Sequence, residues 1–152
     1  MGTRKRNNYK ATEFKRGYIS SRQTEQDLKE LGEHVVAAAK AALKKEAEAI
    51  VAEAKTRCPV YEGHKRNGKV YMQAGVKPGA LRDSIIAEPK DDETVYQISA
   101  NAKTEDGFLY GQIVEFSPAR GHPFLYPTFD AKKDEARKNI VDAIKSAVRR
   151  GR

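Results

Sequence analysis

The side chains that could do chemistry are few and scattered. Three histidines (His34, His64 and His122) and one cysteine, Cys58, are all that a Cys/His metal site could draw on in a chain of 152 residues. Cys58 and His64 are six apart across the proline turn at Pro59, a spacing that matches no closed Cys/His module. A single cysteine also excludes an intrachain disulfide and any multi-cysteine zinc module. A half-buried thiol and loop histidines are the simpler reading. Ser117 and His122 share the segment FSPARGH, but no Gly-x-Ser-x-Gly elbow is present to expose a nucleophile. The glycine loops that cradle phosphates are absent as well. Asp91 and Asp92 sit in an apparent turn, where solvation explains them better than a desolvated carboxylate pair tuned for proton transfer. The expectation is a chain that is not an enzyme and needs no cofactor and no metal.

Charge is the stronger signal. The net charge is +8, and it is unevenly placed. From Met1 to Gln23, Arg4, Lys5, Arg6, Lys10, Lys15, Arg16 and Arg22 stand against Glu13 alone, a charge of +6; the rest of the chain carries 22 basic and 20 acidic side chains, or +2. The arm's sizeable apolar residues are Tyr9, Phe14, Tyr18 and Ile19, with no sustained period. Residues 1–23 are therefore expected to form a flexible basic arm, with too little apolar surface to offset ordering entropy. Three readings of it stay open. It is a solvated tail, it neutralises phosphates while its aromatics stack on bases, or it folds only onto a partner surface.

The remaining residues, 24–152, have the size of one domain, since a mass of 17.0 kDa is too small for two large ones. At 39% hydrophobic and 33% charged, with a mean hydropathy of -0.75, the chain is more charged than the roughly 25% of ordinary globular proteins. That suits a polar arm or long exposed helices. No apolar run approaches the ~20 residues of a bilayer span, and no apolar stretch follows the basic start, so neither a membrane segment nor a secretory signal is expected.

Periodicity supplies the elements. Leu28, Leu31, Val35, Ala39, Ala42, Leu43, Ala47, Ile50, Val51 and Ala54 recur at spacings of three and four, which predicts a long helix. It is expected to open at Thr24, with Asp27 three residues on as an acidic capping box, and to stop near Arg57 ahead of Pro59. Gly32 marks a candidate bend. Val60 to Pro78 reads as a long loop with a short hairpin at Lys69 to Met72. Leu81, Ile85 and Ile86, then Val95, Gln97 and Ser99 alternating against Tyr96, Ile98 and Ala100, predict two antiparallel strands around an acidic turn at Pro89 to Glu93. Phe108 to Phe116 suits either a helical turn or a strand, and a short helix followed by an extended loop is favoured. A last helix starts with Pro127 in its first position and carries Phe129, Ala136, Ile140, Ala143, Ile144, Ala147 and Val148 as one stripe, with Gly151 at its end. The fold class is α+β, with a long N-terminal helix, a small antiparallel sheet and a C-terminal helix.

Two segments carry a resemblance. GALRDSI at Gly79 to Ile85 and YGQIVEFSPARGHPFLYPTF at Tyr110 to Phe129 resemble the neck or tail-component family of long-tailed phages, the gene-product-ten type of minor structural protein. Gly79, Leu81, Arg82, Ser84 and Ile85 match one element of that pattern, and Tyr110, Val114, Glu115 and Phe116 the next. Pro123, Phe124, Leu125 and Pro127 match the last, so the likeness runs from about Thr24 to Val148. Ser117 stands where the family usually has Gly, and Tyr126 replaces a frequent Arg.

The resemblance implies a non-enzymatic virion protein at the head-to-tail junction, made in the host cytoplasm. It would assemble with itself as a ring, six copies favoured and twelve the alternative, and contact other neck and tail proteins. The long helix and the loop Val60 to Pro78 are candidates for contacts between subunits. Arg82, Glu115, Phe116, Phe124, Leu125 and Tyr126 are candidate interface residues, with core packing and turn formation as the competing role. Arg82 and Glu115 are also a candidate ion pair. Arg4 to Arg22 would dock on a neighbouring ring or face DNA in the channel. The alternative function, from a different class, is a nucleic-acid-binding accessory protein that uses the arm.

Overall fold

The computed structural model describes residues 21–71, 76–119 and 121–151. The basic arm lies outside them except for Arg22, an exposed side chain in the first turn of the first helix.

That helix, α1 (Ser21–Arg57), runs 37 residues without interruption, about 55 Å at 1.5 Å per residue. It is already formed at Ser21, so Thr24 lies within it and Glu25 and Asp27 fall beyond the first turn. Arg22, Gln23, Glu25 and Gln26 are good helix formers, and nothing in them stops the helix from extending back past Thr24. It also continues through Gly32, where the bend was expected. Lys55 and Arg57 complement the dipole in its last turn, and Pro59 ends it.

A small hairpin follows, β1 (His64–Arg66) against β2 (Lys69–Tyr71), paired antiparallel with Arg66 opposite Lys69. The hairpin lies earlier than expected because Asn67 and Gly68, at φ 50 and 74, supply the two left-handed residues of a tight two-residue turn. One helical turn, α2 (Ala80–Asp83), then leads into β3 (Ile85–Lys90), which pairs antiparallel with β4 (Val95–Ala100) from Ile85↔Ala100 to Lys90↔Val95. Both strands are edges, so Pro89 is tolerated inside β3, and the turn shifts to Asp91–Thr94, where the Thr94 N–H donates to the Asp91 carbonyl. A short helix α3 (Gly111–Phe116) and the long α4 (Leu125–Arg150) complete the chain. The architecture is α+β.

The GALRDSI motif is explained locally. Gly79 sits at φ 78, which glycine adopts without a Cβ penalty, and Leu81 and Ile85 enter the core. The Ser84 hydroxyl donates to the Leu81 carbonyl at 2.7 Å and accepts from the Ala102 N–H at 2.9 Å. The serine thereby ties the start of β3 to the chain leaving β4.

The helices α1 and α4 pack antiparallel. Asn139 Nδ2 donates to Glu46 Oε1 at 2.9 Å, and Gly151 closes α4 against Leu31. Ala47 on α1 and Ala136 and Ala147 on α4 are buried, so small side chains let the two axes approach. The main core sits at the C-terminal end of α1, where Ala54, Cys58, Leu81, Ile85, Ala102 and Phe124 meet, with Val51, Ile98, Ala100, Tyr110, Val114 and Leu125 around them. The sheet contributes one face: Ile85 is 0% exposed, whereas Ile86, one residue on, is 39% exposed. This face assignment predicts that Ile85→Ala lowers stability by about 2 to 5 kcal/mol, while Ile86→Ala costs under about 1 kcal/mol, both read from urea denaturation.

Candidate functional site

Five of the six candidate interface residues, Glu115, Phe116, Phe124, Leu125 and Tyr126, lie at the junction between α3 and α4, and Arg82 stands apart on α2. Glu115, in the last turn of α3, is buried. Its Oε2 accepts the N–H groups of Phe124 and Leu125 at 2.9 and 3.0 Å, and its Oε1 accepts that of Tyr126 at 2.8 Å. A helix begins with about four N–H groups that have no partner within it. Here Phe124 is the N-cap, the N–H groups at three of the four positions are all taken by one carboxylate, and the fourth position is Pro127, which has no N–H to satisfy. The negative charge also meets the positive end of the α4 dipole. The helix therefore starts at Leu125, two residues before the expected position. Thr128, buried in the first turn, donates its hydroxyl to the Phe124 carbonyl at 2.5 Å.

With both oxygens on backbone donors, Glu115 does not pair with Arg82. The Arg82 guanidinium instead meets its neighbour Asp83 at 3.1 Å, with both side chains largely exposed. Phe124, only 1% exposed, is a core residue of the subunit, and Leu125 packs against that core. Of the six candidate interface residues, Glu115 and Phe124 are thus internal, Leu125 is half-buried, and Arg82, Phe116 and Tyr126 are at the surface.

Phe116 and Tyr126 are 62% and 60% exposed, and their rings meet edge to face with centroids 5.3 Å apart. They are the centre of an apolar shelf. Phe108, Ile113 and Phe116 line one hollow beside Ser117, and Tyr126 and Phe129 line a second with Ile50, Tyr96, Ile98 and Leu125. Phe129, expected in the buried stripe of the last helix, is half exposed here. Sequence reasoning missed Phe108, Ile113 and Phe129 as surface residues, since an apolar periodicity does not say which positions the rest of the fold covers. Ser117 replaces glycine without strain, because its φ of -66 and ψ of 123 lie in the extended region open to any residue.

Next to the shelf, sharing Phe108 and Ile113 with its first hollow, lies a cleft of about 480 Å³ bounded also by Pro59, Val60, Tyr61, Val76 and His122. Cys58 lies buried beneath this region. Burial pushes its thiol from the ordinary value of 9.0 up to about 11; the nearby Arg82 opposes this, and Glu115 and Asp83 reinforce it. His34 and His64 stand on α1 and β1, both exposed, and neither lines the cleft that His122 lines. Among the described residues no three His, Cys, Asp or Glu side chains gather into a metal-binding set, and no helix is long and apolar enough to cross a membrane.

The family model described as "Bacteriophage HK97-gp10, putative tail-component" matches residues 22–116. The match takes in α1, both hairpins and α3, and ends at Phe116, so PFLYP and α4 lie beyond it. Comparison with curated proteins and with solved structures finds no match.

Two predictions follow from this geometry. Glu115→Ala, which leaves three N–H donors without their carboxylate, lowers unfolding free energy by about 2 to 4 kcal/mol, whereas Arg82→Ala changes it by under about 0.5 kcal/mol; urea melts distinguish them. For Cys58, the folded value lies above the unfolded one, so its contribution to stability is full below about pH 9 and fades as the pH rises towards 11. Thiol labelling of native protein at pH 8 should be slow, and stability should fall more steeply between pH 9 and 11 in the parent chain than in Cys58→Ala.

Proposed function

The chain belongs to the HK97-gp10-like family of phage tail components, and from that premise we propose that it is a non-enzymatic virion protein that forms a ring at the head-to-tail junction. The family is one of phage structural proteins, which supports a role in the particle and contacts with other phage structural proteins. The observation that carries the finer reading is the apolar shelf of Phe108, Ile113, Phe116, Tyr126 and Phe129. Contiguous exposed apolar surface of this kind marks a protein interaction site, and aromatic residues dominate interface energetics.

The shelf is held rigidly. Glu115 ties α3 to the first turn of α4, so Phe116 and Tyr126 are presented at a fixed spacing. A ring subunit needs surfaces of this sort on a body that does not deform, because a small angular error accumulates around the circle and prevents closure. Six copies suit the tail symmetry, with twelve the alternative. The basic arm, Arg4 to Arg22, would extend from the start of α1 to dock on a neighbouring ring or face DNA in the channel.

Phe116→Ser combined with Tyr126→Ser tests the shelf. The expected outcome is a folded protein, with a melting temperature within a few degrees of the parent, whose assembly and joining of heads to tails are both lost. Full joining activity by a folded double variant would show that the shelf is not an interface.

A further inference from the structure

We propose that the β1–β2 hairpin of one copy docks on the β3–β4 turn of a neighbouring copy, a contact between a basic ribbon and an acidic corner. This rests on the ring reading above and deepens it by naming one of the contacts that would close the ring.

The hairpin is a poor structure on its own terms. Every residue of both strands is exposed, and an isolated two-stranded ribbon is at best marginally stable in water. Pleating puts His64, Arg66, Lys69 and Tyr71 on one face, with Arg66 directly opposite Lys69. Like charges facing one another across a ladder are destabilising. Among the described residues, Lys65, Arg66 and Lys69 enter no ion pair. An anionic surface laid on this ribbon would offset the repulsion and supply the packing it lacks.

The same chain carries such a surface. Asp91, Asp92 and Glu93 form the exposed corner between β3 and β4, all three at positive φ (46, 56 and 63). Lys40 on α1 anchors Asp92 at 2.8 Å and fixes the corner against the helix. Among the described residues the carboxylates of Asp91 and Glu93 enter no ion pair.

Among the described residues no ion pair joins the two patches within one copy. The corner is pinned at Lys40, and the hairpin follows the end of α1 at Arg57, about 26 Å further along the helix at 1.5 Å per residue. Neither patch is complementary to itself, but each complements the other. Contact between two different patches is head-to-tail, the kind that repeats around a ring. The near-neutral body, +2 outside residues 1–23, allows copies to approach. Duplex DNA would engage the hairpin alone and leave the acidic corner repelled, so a second copy is the occupant that accounts for both.

The test compares the full-length parent with R66E/K69E, which reverses the two cations that share one face of the hairpin, with D91K/E93K, and with the combined charge swap. Light scattering coupled to size exclusion reads mass from dilute to millimolar protein, at low and high salt. We expect an oligomer in the parent, weakened about tenfold or more by either reversal and by raised salt, and restored in the combined swap, which misfolding could not mimic. An oligomer indifferent to the reversals, or not restored by the swap, overturns the inference and leaves the ring reading standing. A parent that stays monomeric throughout contradicts both. A dimer that obeys the charge swap upholds the contact and contradicts the ring. An unchanged oligomer in R66E/K69E with loss of duplex-DNA retention assigns the hairpin to DNA and also overturns the proposal.

Discussion

A buried carboxylate that enters no ion pair among the described residues organises this molecule. Taking a charge out of water is costly unless hydrogen bonds compensate, and Glu115 is compensated by three backbone N–H groups at the start of α4. The compensation is mutual, because those donors would otherwise face the same burial without partners. The result sets where α4 begins and the direction in which it leaves. It turns Phe124 into the core and makes Pro127 harmless in the one remaining position that would have needed a partner. Because α4 is the partner of α1 over much of its length, the cap also governs how the long helices meet.

The surface follows from that arrangement. The main core lies at one end of the helix pair, and the sheet covers it with only one face. A narrow seam of alanines holds the other end, with charged residues on the outside. What is left uncovered is therefore specific: an aromatic shelf across the α3–α4 junction, a basic hairpin after α1, and an acidic corner between β3 and β4. In a free monomer each is hard to justify energetically. On a subunit of the proposed ring, which would meet several neighbours at fixed angles, each has a use.

Much of the fold was legible in local pattern. The three-and-four spacing of α1, the alternation that separates Tyr96, Ile98 and Ala100 from Val95, Gln97 and Ser99, and the stop at Pro59 all reflect short-range rules, and the structure follows them. The Asn67–Gly68 turn obeyed such a rule too, but lysines on both sides of it hid the strands. The misses were long-range. A cap supplied from ten residues upstream leaves no signature near Pro127, so the helix start was misplaced. The same hydrogen bonds removed Glu115 as a partner for Arg82. Phe124 and Tyr126, two residues apart in one apolar segment, took opposite fates because the cap turns the first inward and leaves the second outside. No periodicity encodes that choice.

The central claim is that this chain is a rigid subunit of a closed ring where head meets tail. Reconstruction of the joined particle by electron cryomicroscopy tests it most directly. The account predicts a six-fold or twelve-fold ring at the junction, each subunit fitted by the antiparallel α1–α4 pair with the β3–β4 sheet against α1. Joined particles whose junction contains no density for this fold would contradict it.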